Sequence, residues 1–375
     1  MGWKNILIIL AVIATIHLLV ILCFVGGGNS DKSAAKKDEA PAAQKAEESG
    51  GVMRRVLDAL QKKRTEQPGK PRMDGKDGRI GKPGKIVPPP VAKVVPWKRS
   101  GGAALPAKLQ KQAGRAKSVI LVDLRSRRIL WEKNAEQPVA VASLTKLMSA
   151  ILIAEKLECD PEFSLDTPIP VTKAATSVER SRVLGLREGE KCTVRDLLTA
   201  MMIGSYNDAA AQLAEATGGS VEGFVKMMNA RGRAMGLTSV NFNSPNGLPQ
   251  GKGRVNSFAS ASDILHLCEE LMKHKEVFPL CRLSHASLSS GKEVWTSNNL
   301  LLAPSKAKPY RRVVPGIIGF KTGYTNAAGS CLAFGVEREG RTILGCVTGF
   351  PSQADRDRFC GELIEWSFQK PKAAK

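Results

Sequence analysis

Aromatic side chains are scarce: Phe, Trp and Tyr make up 5% of 375 residues, and three are tyrosine. The basic stretches therefore lack the interleaved rings on which bases stack, so no nucleic-acid partner is expected despite a formal net charge of +21. Cysteine is also thin. Eight residues are too few for a disulfide scaffold, and with Cys23 in an apolar run an odd seven remain, so at least one thiol is free. No CxxC pair occurs and no His stands near a Cys at ligand spacing, which leaves no support for a zinc site or any other metal or cofactor. Cys268, Cys331 and Cys346 sit on apolar patterns and read as small core residues. His266, His274 and His285 are not accompanied by a GxSxG elbow, so a Ser-His-Asp triad has no basis either.

What is present divides the chain. Ile6 to Val25 is apolar except for Thr15 and His17, long enough as a helix to span a bilayer. The run exceeds the 7–15 residues of a cleavable signal, and GGGNS after it is a poor cleavage site, so residues 1–25 read as a single-pass signal anchor. Lys4 before it and Lys32, Lys36 and Lys37 after it favour a cytoplasmic domain, a bias that long domains override. Residues 26–117 are rich in Ala, Lys, Pro and Gly and are expected to be a disordered basic linker. Residues 1–117 carry 23 Lys and Arg against 9 Asp and Glu, two thirds of the net charge, so the surplus lies mostly outside the globular part. Within the linker, Val52, Met53, Val56, Leu57 and Leu60 beside Arg54 and Arg55 fit a short helix on an anionic membrane or a transient solvated one.

From residue 118 the texture changes. SVILVDL (118–124) and RILWEK (128–133) predict a strand hairpin. Leu144, Leu147, Met148, Ile151 and Leu152 predict an amphipathic helix from about Ser143, and further helices fit Val194–Ala216 and Ser220–Met235. GFKTGYT, SCLAFGVERE and RTILGCVTGF then return to strands before a closing helix at about Gln353–Gln369. Strands, helices, strands and a helix make an α+β order over residues 118–375.

Ser143-Leu-Thr-Lys146 puts a hydroxyl and an amine three residues apart on one helix face, a spacing suited to a nucleophile and its base. Spacing alone decides nothing, because SxxK occurs five times in the chain. Ser-x-Asn likewise occurs at Ser205-Tyr206-Asn207 and also at Ser239, Ser244 and Ser297, whereas Lys321-Thr322-Gly323 is the sole KTG. Joint placement carries the information: SxxK after an N-terminal hairpin, Ser205-x-Asn207 62 residues later, and KTG on a strand 116 beyond that.

In that order, and with LGLREGEKCTVRDLLTAMMIGSYNDAAAQLAE, FNSPNGLP and SNNLL around them, these motifs resemble the penicillin-binding, serine-type D-alanyl-D-alanine carboxypeptidases. The resemblance spans residues 118–375. It implies the penicillin-binding-protein/β-lactamase-like transpeptidase fold, an antiparallel sheet packed with helices plus a helical subdomain. It also implies Ser143 as nucleophile, Lys146 as base, Ser205 as proton relay and Asn207 as a brace on Lys146 and substrate. Lys321 and Thr322 would hold a terminal carboxylate, Gly323 would leave the strand edge open, and the Tyr324 and Ser143 N–H groups would form the oxyanion hole. The implied substrate is the D-Ala-D-Ala end of a peptidoglycan stem peptide, with β-lactams as acylating inhibitors and the membrane as attachment. A wall substrate places the domain outside the cytoplasmic membrane, with Lys4 inside. Tyr206, where a small residue is expected, and Asn246, where relatives often have His, are departures. The family's common C-terminal β-domain is not expected after the closing helix. No ExxxN lies between Ser205 and Lys321, so a β-lactamase that turns penicillin over is not expected. A D,D-endopeptidase and a non-catalytic wall-binding protein are the alternatives, the latter disfavoured by the intact motifs.

Overall fold

The structure, a computed structural model, describes residues 91–99, 104–179 and 181–369. The apolar run at 6–25 and most of the expected linker lie outside these residues, and no helix among them is long and apolar enough to cross a membrane.

Among the described residues, twelve strands and eight α-helices follow in chain order. Strand β1 (Lys98–Arg99) and helix α1 (Ala107–Ala113) precede the hairpin β2 (Ser118–Asp123) and β3 (Arg128–Lys133). Then come β4 (Val139–Ala140), a 3-10 turn at Ala142–Thr145, α2 (Lys146–Cys159), β5 (Pro168–Pro170), α3 (Lys173–Thr176), β6 (Lys191–Thr193) and α4 (Val194–Thr199). The helical part continues through α5 (Asn207–Gly218), α6 (Val221–Ala234), β7 (Phe258–Ala259) and α7 (Ala261–Leu271). A small hairpin, β8 (His285–Ser287) and β9 (Glu293–Trp295), leads to β10 (Ile317–Thr325), β11 (Gly329–Arg338), β12 (Arg341–Phe350) and α8 (Gln353–Ser367). The order is α+β, as the sequence predicts.

The main sheet runs β1-β3-β2-β12-β11-β10, so the N-terminal hairpin completes a sheet begun by the C-terminal strands. All of its pairings are antiparallel except β1 with β3, which is parallel. Because side chains alternate along a strand, β2 feeds two cores at once. Val119 and Leu121 pack with Leu109, Phe359 and Leu363 from α1 and α8, whereas Ile120 and Val122 pack with the helices on the other face. That double burial explains the uninterrupted apolar run of β2. Helix α2 is the centre of the helical layer and is buried nearly all round rather than on one stripe, so the amphipathic reading of 144–154 is corrected.

Two further expectations change. The boundary at residue 117 is too late: Trp97 stacks on His266 with centroids 4.6 Å apart, and Leu109 and Ala113 are buried under α8. These few apolar anchors are diluted among Lys and Pro, which is why composition hides them. The helix expected over Val194–Ala216 is broken in two. A π-helical turn at Ala200–Gly204 ends at Ser205, whose φ of 64° is left-handed, before α5 restarts at Asn207. All seven described cysteines are free, and Cys268, Cys331 and Cys346 are fully buried.

Candidate active site

The nucleophile candidate sits on a tight turn. Ala142 has a φ of 48°, and Ser143 follows in the 3-10 turn that leads into α2 at Lys146. Lys146 has no exposed surface, yet its Nζ reaches three oxygens: Ser143 Oγ at 3.0 Å, Asn207 Oδ1 at 2.8 Å and the Asn246 carbonyl at 2.7 Å. Asn207 Nδ2 donates to the Ser181 carbonyl, which fixes its Oδ1 toward Lys146. Two of the three partners of Lys146 can therefore only accept. A neutral amine has two N–H groups and one lone pair, so donation to Asn207 and Asn246 leaves the lone pair for the Ser143 hydroxyl. That is the arrangement of a base poised on its nucleophile.

The electrostatics favour the neutral form. Burial pushes the Lys146 pKa well below its ordinary value, and the positive charges of Lys321 and Arg182 push the same way against Asp208. Lys321, itself buried on β10, is lowered to about 7, again chiefly by burial and then by Arg182.

Strand β10 is the last strand of the sheet, so among the described residues its outer edge is free of a sheet partner. Gly323 abuts the nucleophile turn: a Cβ there would stand 2.9 Å from the Val141 carbonyl and 3.1 Å from the Ser143 nitrogen. The glycine is thus needed for close approach of β10 to Ser143, which brings the Ser143 N–H beside the Gly323-Tyr324 backbone. The Tyr324 side chain is exposed and its Oη donates to Asn326, leaving its role here to the main chain.

Ser143, Ser205, Asn207, Thr322, Gly323 and Tyr324 line one cleft of about 450 Å³. Lys146 and Lys321 lie beneath it, fully or nearly fully buried. All eight residues predicted from the sequence therefore converge. Tyr206 lies on the cleft wall with the Arg182 guanidinium 5.9 Å from its ring centre. Asn246 contributes through its backbone carbonyl, while its side chain accepts from the Leu248 N–H and shapes its own loop.

Several participants escaped the sequence reading. Arg182 lies in irregular chain without periodicity, yet its backbone carbonyl accepts from the Asn207 N–H at 2.9 Å and its charge acts on both lysines. Asp208 collects the N–H groups of Leu184, Gly185 and Leu186 and so ties that loop to the start of α5. Ser297, one of the competing Ser-x-Asn matches, accepts from Thr322 Oγ1 at 2.7 Å inside the cleft. As to metals, one group of described donors comes close together, Glu155, Glu270 and His274, and both carboxylates are already paired with Arg231 at 2.6 and 3.0 Å.

Comparison with known proteins agrees with this geometry. Residues 106–351, about two thirds of the chain, match the family model described as D-alanyl-D-alanine carboxypeptidase. The chain is similar to D-alanyl-D-alanine carboxypeptidase DacF of Bacillus subtilis, 28% identical over 260 residues, covering 69% of this chain but 63% of that protein. It is 30% identical over 237 residues to a D-alanyl-D-alanine endopeptidase of Pseudomonas aeruginosa, covering 61% of this chain and 69% of the relative. Among solved structures, the ampicillin-bound penicillin-binding protein D2 of Listeria monocytogenes is 26% identical with a TM-score of 0.58, covering 68% of this chain and 98% of that one.

Proposed function

Since the chain belongs to the D-alanyl-D-alanine carboxypeptidase family, we propose that it is a serine D,D-carboxypeptidase that removes the terminal D-alanine from peptidoglycan stem pentapeptides. The single observation that carries this reading is the buried Lys146 amine 3.0 Å from Ser143 Oγ, with its two other partners restricted to accepting.

Ser143 Oγ attacks the carbonyl of the penultimate D-alanine while its proton passes to Lys146. The N–H groups of Ser143 and Tyr324 receive the oxyanion, where one such donor is worth about 3 kcal/mol. Ser205, its hydroxyl at the cleft and its backbone held left-handed, carries a proton to the departing D-alanine nitrogen as the C–N bond breaks. Water then hydrolyses the ester on Ser143. Thr322 holds the terminal carboxylate, with the Lys321 ammonium acting from beneath the cleft. The substrate backbone lies along the open edge of β10 as an added strand.

The test is release of free D-alanine from a pentapeptide ending in D-Ala-D-Ala by the full chain, together with the covalent adduct formed by labelled penicillin. Release, with the adduct mapped to the peptide containing Ser143, is expected. An adduct on another residue, or no release from an enzyme that penicillin still acylates, would overturn the carboxypeptidase reading. In that second outcome cross-linked stem dimers become the substrate to try, since a relative of comparable identity is a D-alanyl-D-alanine endopeptidase. With no ExxxN motif in the interval before Lys321, the penicillin adduct is expected to be long-lived.

Rate should depend on pH through both lysines. Acylation needs Lys146 neutral and Lys321 charged, so kcat/KM should climb as pH passes the lowered Lys146 value and fall as Lys321 loses its proton near 7. A bound carboxylate favours the ammonium, so the alkaline limb of kcat should lie at higher pH than that of kcat/KM. A kcat/KM still rising above about pH 9 would remove Lys321 from carboxylate recognition. The same reading places the domain on the outer side of the cytoplasmic membrane, tethered through residues 6–25.

A further inference from the structure

We infer that Tyr206 is a positioning residue for the proton transfer at Ser205: its ring, seated on Gly204 and held by Arg182, fixes the left-handed turn that aims the Ser205 hydroxyl at the leaving nitrogen. The inference rests on the D,D-peptidase reading and deepens it, giving a task to the residue that stands where a small side chain is expected.

Ser205 needs holding. It ends the π-helical turn with a φ of 64° and a ψ of 30°, a conformation that a residue other than glycine keeps only where its surroundings enforce it. Among the described residues its hydroxyl has no hydrogen-bond partner, so the backbone alone sets where Oγ stands. That backbone is tied on both sides. The Ser205 and Tyr206 N–H groups donate to the Ala200 carbonyl, the Asn207 N–H donates to the Arg182 carbonyl at 2.9 Å, and the Ser297 N–H donates to the Ile203 carbonyl at 3.0 Å. Between these ties lie Gly204 and Ser205, and Gly204 has no side chain with which to resist rotation.

The Tyr206 ring supplies that resistance. A Cβ on Gly204 would stand 2.3 Å from Tyr206 Cε2, 2.6 Å from its Cδ2 and 2.9 Å from Val294 Cγ1, so the ring fills the space that a side chain at 204 would take, beside β9. Arg182 secures both: its Nε donates to the Gly204 carbonyl and its guanidinium lies 5.9 Å from the ring centre. Tyr206 Oη has no hydrogen-bond partner among the described residues, so the ring and not the hydroxyl does the holding. The chemical consequence is selective. Attack by Ser143 Oγ forms the ester and breaks the C–N bond, and the nitrogen departs only as it takes the proton that Lys146 removed from Ser143, delivered through Ser205. A thiolester of the same acyl part breaks a C–S bond instead. Its sulfur leaves as the thiolate, because a thiol has a pKa of about 8.5, and the proton stays on Lys146. Misplacing Ser205 therefore slows the peptide and spares the thiolester.

The experiment measures kcat/KM of the full chain for acyl-D-Ala-D-Ala and for its analogue with sulfur in place of the last N–H, each at its pH optimum. Tyr206→Ala is expected to lower the peptide value about tenfold, part of the 10²–10⁴-fold that a positioned proton donor contributes, and the thiolester value less than about threefold. Tyr206→Phe keeps the ring and should restore the wild-type ratio of the two values. Arg182→Ala, at an exposed residue whose loss leaves the core intact, should lower that ratio in the same direction. Equal losses on both substrates, or a raised KM on both with kcat held, would leave Tyr206 a cleft wall only and overturn the inference. A ratio unchanged in either alanine variant, or not restored by phenylalanine, overturns it as well. A wild-type protein that turns over neither substrate and is not acylated by penicillin at Ser143 would instead sink the D,D-peptidase reading, and the inference with it.

Discussion

Replacing Lys146 by methionine is expected to slow acylation of Ser143 by about 10²–10⁴-fold, the range over which a positioned general base contributes. Methionine has nearly the length of lysine and no proton to exchange, so the Ser143 hydroxyl loses the one lone pair arranged to take its proton. Stability should move much less. Lys146 is fully buried, and its burial disfavours the charged form, so removing the amine relieves a desolvation cost. Against that, Asn207 Oδ1 loses its donor, at roughly 1–3 kcal/mol for an orphaned buried acceptor, while the Asn246 carbonyl keeps the Ser143 hydroxyl at 3.4 Å. The two effects oppose each other. The pair of measurements is the acylation rate with a fluorescent penicillin and the midpoint of thermal unfolding. A variant acylated at near the wild-type rate would remove Lys146 as the base, and a rate loss matched by a collapsed midpoint would reassign it to structure.

How far the site was legible in the sequence follows from the kind of signal each residue leaves. Ser143 and Lys146 sit on a 3-10 turn and the helix start it leads into, where a three-residue spacing still translates into a shared face. Thr322 and Gly323 are marked by the sole KTG, on a strand that is buried over most of its length, and the long runs of β2, β11 and β12 mark the sheet. Ser205 was found by its motif, but its left-handed φ of 64° was not, since periodicity over 194–216 continues through the π-turn without a Gly or Pro to break it except Gly204. Arg182 and Asp208 act through loop backbone and through charge at a distance, neither of which has a period. The linker boundary erred for a related reason: Trp97, Leu105 and Leu109 are single anchors in a basic stretch, and burial by single anchors leaves composition nearly unchanged. Ser297 shows the converse: in the sequence it is one of several equal Ser-x-Asn matches, and only the hydrogen bond that Thr322 donates to it sets it apart.

The loop that carries Asn246 supplies the second large effect. Gly247→Ala is expected to lower acylation of Ser143 by at least about 10²-fold, the loss that a 1 Å misplacement of reacting groups can produce. At Gly247 φ is +83°, and an added Cβ would stand 1.9 Å from the Ala142 carbonyl oxygen and 3.0 Å from the Ser143 nitrogen. Those are backbone atoms, so no side-chain rotation relieves the clash. Ala142 is itself at a φ of 48°, and so the turn has little freedom to yield. Either the nucleophile turn shifts away from Lys146 or the Asn246 carbonyl retreats from it, and both disturb the bonds that aim the lone pair of Lys146 at Ser143. Gly251→Ala separates this from strain alone: its φ is +69°, yet nothing lies within 4 Å of its added Cβ. That control should cost about 1–3 kcal/mol of stability and leave the acylation rate near wild type. If both variants lost rate equally, left-handed strain would account for Gly247, and the packing of this loop against the nucleophile turn would not be what aligns Ser143 with its base.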